Sequence, residues 1–303
     1  MKTVVIFGGS GFVGQHIIRR IAKKGYKIIV PYQHSIDEAK IRLFGSTGQI
    51  IPISFNSIDE TIILRQLNYS DIIINLKTQW DEKKNTYDNG IFGFNRKLCD
   101  IIKNSNKNPQ FIYFSGIGVD KDFSSKRSKS ILKSEIYFRE NLNNLVIVRP
   151  GVILGGGDQF LKNLFPLFKI SLLIPLFGNG KSRFQPVYID DVSRAISEID
   201  TQSLLGIHLF EFFGNKVFSY KEFYKLICIY SGKKRYLIPI PLKFIKIIVY
   251  ILEKFSISPI KMEQLKLFEK DNIPGNIGKN LMNLNVVPQD LTEILKKIIV
   301  KNI

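Results

Sequence analysis

The chain has 303 residues, 45% of them hydrophobic and 23% charged, and carries a net charge of +18. That size and apolar content exclude a disordered chain or a small disulfide-stapled domain, and suit one large α/β domain with a smaller companion. No apolar run reaches the ~20 residues of a bilayer span; the nearest, Tyr236 to Leu252, is broken by Pro239, Pro241, Lys243 and Lys246.

The first stretch, Val4-Val5-Ile6-Phe7-Gly8-Gly9-Ser10-Gly11-Phe12-Val13-Gly14, is an apolar strand running into glycines 8, 11 and 14 and then into a helix. Phe12, Val13, Ile17, Ile18, Ile21 and Ala22 recur at helical spacing. Gly25 stops that helix, and Lys27 to Pro31 reads as the second strand. This βαβ unit with a glycine turn at its first junction is a diphosphate-binding signal. Gly8 allows the tight turn, Gly11 lets a diphosphate approach the backbone, and Gly14 lets helix and strand pack closely. The N–H groups at the helix start face the anion. The alternative is a glycine-rich turn that holds no ligand. The first strand starts at residue 2 or 3, so no signal peptide is expected.

Gln49 to Ile53 follows as a third strand, Asp59 to Leu67 as a helix, and Asp71 to Leu76 as a strand buried on both faces. The pattern then predicts a helix over 88–104, a strand Gln110 to Ser115, a helix over about 128–142 and a strand Leu145 to Val148 that runs into Arg149-Pro150-Gly151. Strands and helices alternating over 150 residues predict an α/β fold of Rossmann type, a doubly wound parallel sheet. Beyond it, Gly155 to Asp158 reads as a loop, Gln159 to Phe168 as a short helix and Gln185 to Ile189 as a strand. Asp190-Asp191 then precedes a helix from Val192, where a capping role outweighs acid–base work. The expected division is a dinucleotide-binding domain over 1–204, with 151–185 contributing to a cap, and a smaller, mainly helical cap or docking region over 205–303.

Cys99 and Cys228 are expected to be buried thiols in a reducing compartment. His16, His34 and His208 lack metal-ligand spacing, so no metal site is expected. From Lys216 onward there are 16 basic residues against 7 acidic ones, a balance that seeks anionic partners unless a lysine-rich composition alone accounts for it. No basic motif interleaved with aromatics is present, so no nucleic-acid partner is expected. On Leu242 to Phe255, Lys243, Lys246, Tyr250 and Lys254 form one stripe, with Ile245, Ile248, Val249 and Leu252 opposite. Such a helix lies on a membrane surface or packs its apolar side on a core.

Gly8-x-x-Gly11-x-x-Gly14, Asn75-Leu76, Ser115, Arg149-Pro150 and the run Gln185 to Val192 together resemble an extended or atypical short-chain dehydrogenase/reductase over about residues 3–200. A narrower resemblance runs nearly the whole chain, to the NADPH-binding accessory subunits of respiratory complex I (NADH:ubiquinone oxidoreductase, alpha subcomplex subunit nine type). It rests on Ile29 to Tyr32, on Arg42, Gly45, Gly48 and Gln49, and on Ile73 to Leu76 leading to Trp80. Further on it takes in Gly157 to Leu161, Gln185 to Tyr188, Leu237 to Leu242 and Ile257-Ser258-Pro259.

The larger family places a Tyr and a Lys four residues apart on the helix after the fifth strand. The Tyr transfers a proton; the Lys lowers its pKa and holds the nicotinamide ribose. Counted back from Pro150, those positions fall on Arg127 and Ile131; a shift of two puts Ser125 and Lys129 there. Neither register supplies a tyrosine, and Tyr230/Lys234 and Tyr250/Lys254 stand outside that context. No catalytic residue is therefore assigned. The resemblance implies cofactor contacts from Gly8, Gly9, Ser10, Gly11, Phe12, Val13, Gly14, Gln33, Arg42, Asn75, Leu76, Ser115, Gly116, Lys129 and Pro150.

At the end of strand two, Pro31-Tyr32-Gln33-His34 offers neither the carboxylate of NAD sites nor the arginine of NADP sites; Gln33 stands where the complex I subunits carry Arg, and Arg42 or His34 could substitute. NADPH is the expected ligand, with NAD open. The resemblance further implies a non-catalytic subunit partnered with other complex I subunits. Its place would be peripheral, on the cytoplasmic side of a bacterial inner membrane or the matrix side of the mitochondrial one, with membrane contact through 242–255. The alternatives are an active reductase or sugar-nucleotide epimerase with an unusual proton donor, and an NAD(P)H-sensing regulator.

Overall fold

The computed structural model describes all residues except 122–124, 203, 256, 257, 259 and 276. Ser124, and Ile257 and Pro259 of the resemblance, lie outside the described residues. The chain divides into two compact units: Met1–Pro150 with Ile189–Phe212 and Asn276–Val287, and Gly151–Tyr188 with Phe213–Gly275 and Pro288–Ile303.

In the first unit, β1 (Thr3–Phe7), α1 (Phe12–Ala22) and β2 (Lys27–Tyr32) form the βαβ start. They are followed by α2 (Glu38–Arg42), β3 (Ile50–Ser54), α3 (Thr61–Asn68) and β4 (Ile72–Asn75). One π-helical turn, Asp88–Gly93, leads into α4 (Phe94–Lys103), then β5 (Gln110–Phe114), α5 (Lys126–Asn141) and β6 (Leu145–Pro150). The helix expected over 88–104 thus changes pitch at its start. Gly90 lies there with the Gln79 side chain where a Cβ would stand.

All strand pairings of the main sheet are parallel, in the order Ile207–Phe212, β6, β5, β4, β1, β2, β3. This is the doubly wound sheet the sequence predicts, with a seventh strand added. Ile207–Phe212 lies beyond residue 204 yet pairs with β6 along its whole length, Ile207 opposite Leu145 and Phe212 opposite Pro150. A single cut at residue 204 therefore does not separate the two units. The sheet's strands are apolar on both sides, and Val4, Val5, Ile28, Ile73, Ile74, Phe111 and Val146 are buried to 1% exposure or less. Pro52 sits in β3, the edge strand, where a missing donor breaks no ladder between neighbours.

The helix Ile189–Thr201 starts at Ile189 and not at Val192 as the sequence suggests. Asp190 and Asp191 therefore lie in its first turn, where their charge suits the helix dipole, and do not cap it. Asp190 pairs with Arg20 of α1 at 2.5 Å, and Asp191, fully buried, with Arg194. At the other end Asp200 takes Lys2 at 2.6 Å and the Tyr26 hydroxyl at 2.5 Å. Asp190 fastens this helix to α1, while Asp191 pairs within the helix.

The second unit has its own core, including Leu161, Phe168, Phe184, Phe218, Phe223, Leu291 and Ile299. Its helices are Gln159–Ile170, Tyr220–Ser231, Leu242–Lys254, Met262–Leu265 and Leu291–Asn302. Two-stranded pairings accompany them, Leu173–Phe177 with Tyr236–Ile240 the longest. Helix Tyr220–Ser231 is bounded by a Ser219/Glu222 capping box and by Gly232 at φ +67°. Both cysteines are thiols; Cys99 is buried as expected, but Cys228 is only half-buried.

Candidate functional site

The glycine turn is built as its spacing requires. Gly8 has φ +76°, and the Gly11 N–H donates to the Gly8 carbonyl at 3.1 Å, closing the turn. A Cβ on Gly14 would stand 2.5 Å from both the Gly8 carbonyl oxygen and Gly9 Cα, and one on Gly9 would stand 2.8 Å from Val30 Cγ1. These glycines therefore let α1 press against the turn and the turn against β2. Gly11 is the N-cap of α1 and supplies no side-chain cap, so the first N–H groups of the helix, from Phe12, Val13 and Gly14, point out past a bare backbone. The Gln15 amide holds the Ser10 carbonyl at 2.7 Å. Burial, with Arg19 nearby, holds His16 below its ordinary range.

The ends of β1, β2, β4, β5 and β6 line one edge of the sheet, and most of the residues expected to contact a cofactor lie along it. Leu76 continues the ladder past β4, its N–H on the Phe7 carbonyl at 3.0 Å. Asn75 turns its side chain inward. Its amide nitrogen donates to Asn95 Oδ1 at 2.7 Å, and Asn95 donates to the Tyr113 hydroxyl at 3.2 Å and Ser134 Oγ at 3.0 Å. Asn75 Oδ1 accepts the Lys77 N–H at 3.0 Å, which bends the chain sharply at the strand end.

At the end of β2, Gln33 is exposed and its amide nitrogen donates to the Asn56 carbonyl at 3.0 Å. Arg42 does not reach outward alone: it pairs with Glu38 at 3.1 Å, and Glu38 also accepts the Tyr32 hydroxyl. Lys77, which the sequence reading passed over, puts its Nζ 2.9 Å from Gln33 Oε1 and 3.8 Å above the Phe94 ring. Burial pushes its ammonium down to about 8. Only its place one residue beyond Asn75-Leu76 could have flagged it.

The other end of the edge is filled. Ser115 donates its hydroxyl to Glu135, which is 1% exposed. Arg149 grips both Glu135 oxygens, at 2.9 and 2.7 Å, and reaches Asp120 at 3.0 Å. Gly116 and Pro150 flank this cluster, with the next N–H, that of Ile117, bonded to the Pro150 carbonyl at 3.2 Å. Ser125 caps α5 through the Ser128 N–H at 3.0 Å and is buried, while Lys129 is exposed on the first turn. Arg127 lies with its guanidinium 3.8 Å from the Trp80 ring, bonded to the Gln79 carbonyl at 2.9 Å and Thr78 Oγ1 at 2.8 Å.

A model of the NAD dependent epimerase/dehydratase family matches residues 4–137. A protein of Dictyostelium discoideum named NADH dehydrogenase [ubiquinone] 1 alpha subcomplex subunit 9, mitochondrial, is 28% identical over 298 residues, covering 96% of this chain and 82% of the relative. Over its first 137 residues the chain is therefore similar to the NAD dependent epimerase/dehydratase family. Solved structures agree on the fold. UDP-glucuronic acid 4-epimerase from Bacillus cereus, in complex with UDP-glucuronic acid and NAD, has a TM-score of 0.72 at 16% identity over 99% of both chains. A human epimerase family protein with NADPH has a TM-score of 0.68 at 17% identity over 99% of this chain and 100% of that one.

For a short-chain dehydrogenase relative, the helix after β5 is the place to look for Tyr and Lys. Here α5 carries one tyrosine, Tyr137, well along the helix, and its hydroxyl donates to Asp100 of α4 at 2.7 Å. Tyr113 of β5 is buried among Asn95 and Ser134, and burial, with Glu135 nearby, raises its pKa well above the ordinary phenol range. Tyr230 and Tyr250 belong to helices of the second unit. The sheet edge thus has the glycine turn, while the positions counted for Tyr and Lys from the resemblance hold Arg127 and Ile131, or Ser125 and Lys129.

Proposed function

We propose that this protein binds a nicotinamide dinucleotide, NADP(H), on the glycine turn and keeps it as a fixed part of its fold, serving as a non-catalytic accessory subunit of respiratory complex I. One observation carries the reading: the glycine cradle is intact to within a single Cβ, yet Arg127, clamped on Thr78, Gln79 and Trp80, stands where a proton-donating tyrosine would be counted. Gly8, Gly9, Ser10, Gly11, Phe12, Val13 and Gly14 would hold the diphosphate through backbone N–H groups. Gln33 would meet the adenosine ribose, and Leu76, Gly116, Lys129 and Pro150 would line the dinucleotide along the edge. Ser115 is turned to Glu135 and would shape the site without transferring a proton. The nucleotide when bound supplies hydride chemistry, but the chain's own residues only grip and orient it. A ligand that binds the folded state alone stabilises it by mass action.

The partner assignment leans on the relatives' names and on the exposed face of helix Leu242–Lys254. Ile245 and Val249 are buried, but Phe244, Ile247, Ile248 and Ile251 are exposed, and Phe255 beyond the helix joins them. Ile248 therefore faces outward, contrary to its expected place on the packed side. Lys246 pairs with Glu269 at 2.7 Å, and Lys243 and Lys254 flank the apolar stripe. Such a face suits burial against complex I subunits beside the inner-membrane surface, on its matrix side or the corresponding bacterial side. Among the described residues no helix is long and apolar enough to cross a membrane.

The test has two arms. Acid extraction of the purified protein should release NADP(H), and complex I isolated from the source should contain this chain. Steady oxidation of NADPH with a carbonyl or sugar-nucleotide substrate would replace this reading with that of an active reductase or epimerase, which the family-model match favours.

A further inference from the structure

Lys77 is a half-buried ammonium for which, among the described residues, no carboxylate forms an ion pair. Three arginines of the same unit are matched: Arg42 by Glu38, Arg149 by Glu135 and Asp120, and Arg20 by Asp190. Among the described residues the polar partner of its Nζ is the neutral side-chain carbonyl of Gln33, at 2.9 Å. The same Nζ lies 3.8 Å over the ring of Phe94, which in turn packs edge-on against Phe7 at 5.5 Å. In the sheet, β1 lies between β4 and β2. Lys77 therefore spans the carboxyl end of β1, above the glycine turn, and delivers its charge from the end of β4 to the end of β2. That is where a dinucleotide-binding fold reads the substituent on the adenosine ribose. The Asn56 carbonyl holds the nitrogen of the Gln33 amide, so the amide's oxygen faces the lysine.

We infer that Lys77, held in place by Gln33 and Phe94, is the residue that selects a phosphate on the adenosine ribose, in place of an arginine on β2. This rests on the dinucleotide reading above. It also displaces the expectation that Arg42 substitutes for that arginine, because Glu38 already neutralises Arg42 and is itself fixed by Tyr32. A ribose phosphate exchanges a neutral carbonyl for a dianion as the partner of Nζ, an exchange that a plain hydroxyl does not offer.

The probes are 2′,5′-ADP and 5′-ADP, which differ by the ribose phosphate alone, titrated calorimetrically into the nucleotide-free full chain at fixed ionic strength. The wild type is expected to prefer 2′,5′-ADP by about tenfold or more. Lys77→Met is expected to erase that preference while changing 5′-ADP affinity by less than about twofold, Lys77→Arg to keep it, and Arg42→Met to keep it. Retained preference in Lys77→Met, loss of it in Arg42→Met, or equal weakening of both analogues by Lys77→Met would overturn the inference and leave the dinucleotide reading standing. If the wild type binds neither analogue, the dinucleotide reading fails and takes the inference with it.

Discussion

The two ends of one sheet edge have been treated differently. Around β1 and β2 the edge is bare backbone and an ammonium with no ion pair among the described residues: Gly8 at φ +76°, the start of α1 without a side-chain cap, and Lys77 resting on Gln33. Around β5 and β6 it is packed with charge that is already satisfied, Ser115 on Glu135, Glu135 on Arg149 and Arg149 on Asp120. An arrangement left wanting an anion is a binding surface, and an arrangement whose donors and acceptors are consumed internally is a brace. On the proposed reading, the first end would grip a nucleotide and the second would only hold the sheet edge together.

The severest way to break this comparison is at the buried brace. Arg149→Met leaves Glu135 as an unpaired buried carboxylate and should destabilise the protein by about 3–5 kcal/mol, measured by urea unfolding. Glycine-turn substitution comes next. In Gly14→Ala the new Cβ meets backbone atoms at 2.5 Å that cannot swing away, so a loss of about 1–3 kcal/mol is expected, together with loss of nucleotide-induced thermal stabilisation. Ser115→Ala should cost about 1 kcal/mol and leave nucleotide affinity nearly unchanged; a large affinity loss there would show that the brace also contacts the ligand.

The pH dependence of stability sharpens the other end. Burial holds the Lys77 ammonium near pKa about 8, against an ordinary 10.5. Between those values the unfolded chain binds the proton that the folded chain has shed, so this residue makes stability rise with pH across that window. The difference in unfolding free energy between wild type and Lys77→Met should therefore change from pH 8 to 10.5, with the wild type gaining. The smallest stability effect is expected on the second unit's exposed stripe. Phe244→Ser with Ile251→Ser should alter unfolding by less than about 0.5 kcal/mol, while reducing recovery of the chain with complex I.

Much of the first unit was legible because its signals are local. Strand, glycines and helix between residues 3 and 22 are read at fixed short spacing, and the absence of a tyrosine near residues 125–131 is visible by counting. The seventh strand was missed because Ile207–Phe212 has no crossover helix of its own kind after it and declares itself only by pairing with β6. The sequence pattern suggests a helix from Val192 with Asp190 and Asp191 as caps, but the strand pairing of Val187 and Tyr188 with Ile153 and Leu154 ends at Tyr188 and the helix starts at once at Ile189.

By itself the sequence determined a parallel α/β sheet and a glycine turn of the spacing that suits a diphosphate, since both follow from residue type at short, regular spacing; that the helix after β5 lacks a proton-transferring tyrosine is what the resemblance implies. Tertiary structure alone decided which distant polar groups meet: Lys77 with Gln33 across 44 residues, Arg127 with the loop at 78–80, and Ser115, Glu135 and Arg149 in one knot. Those meetings depend on strand order and register, and no periodicity along the chain encodes which side chain will find a partner across the sheet edge and which will be left for a ligand.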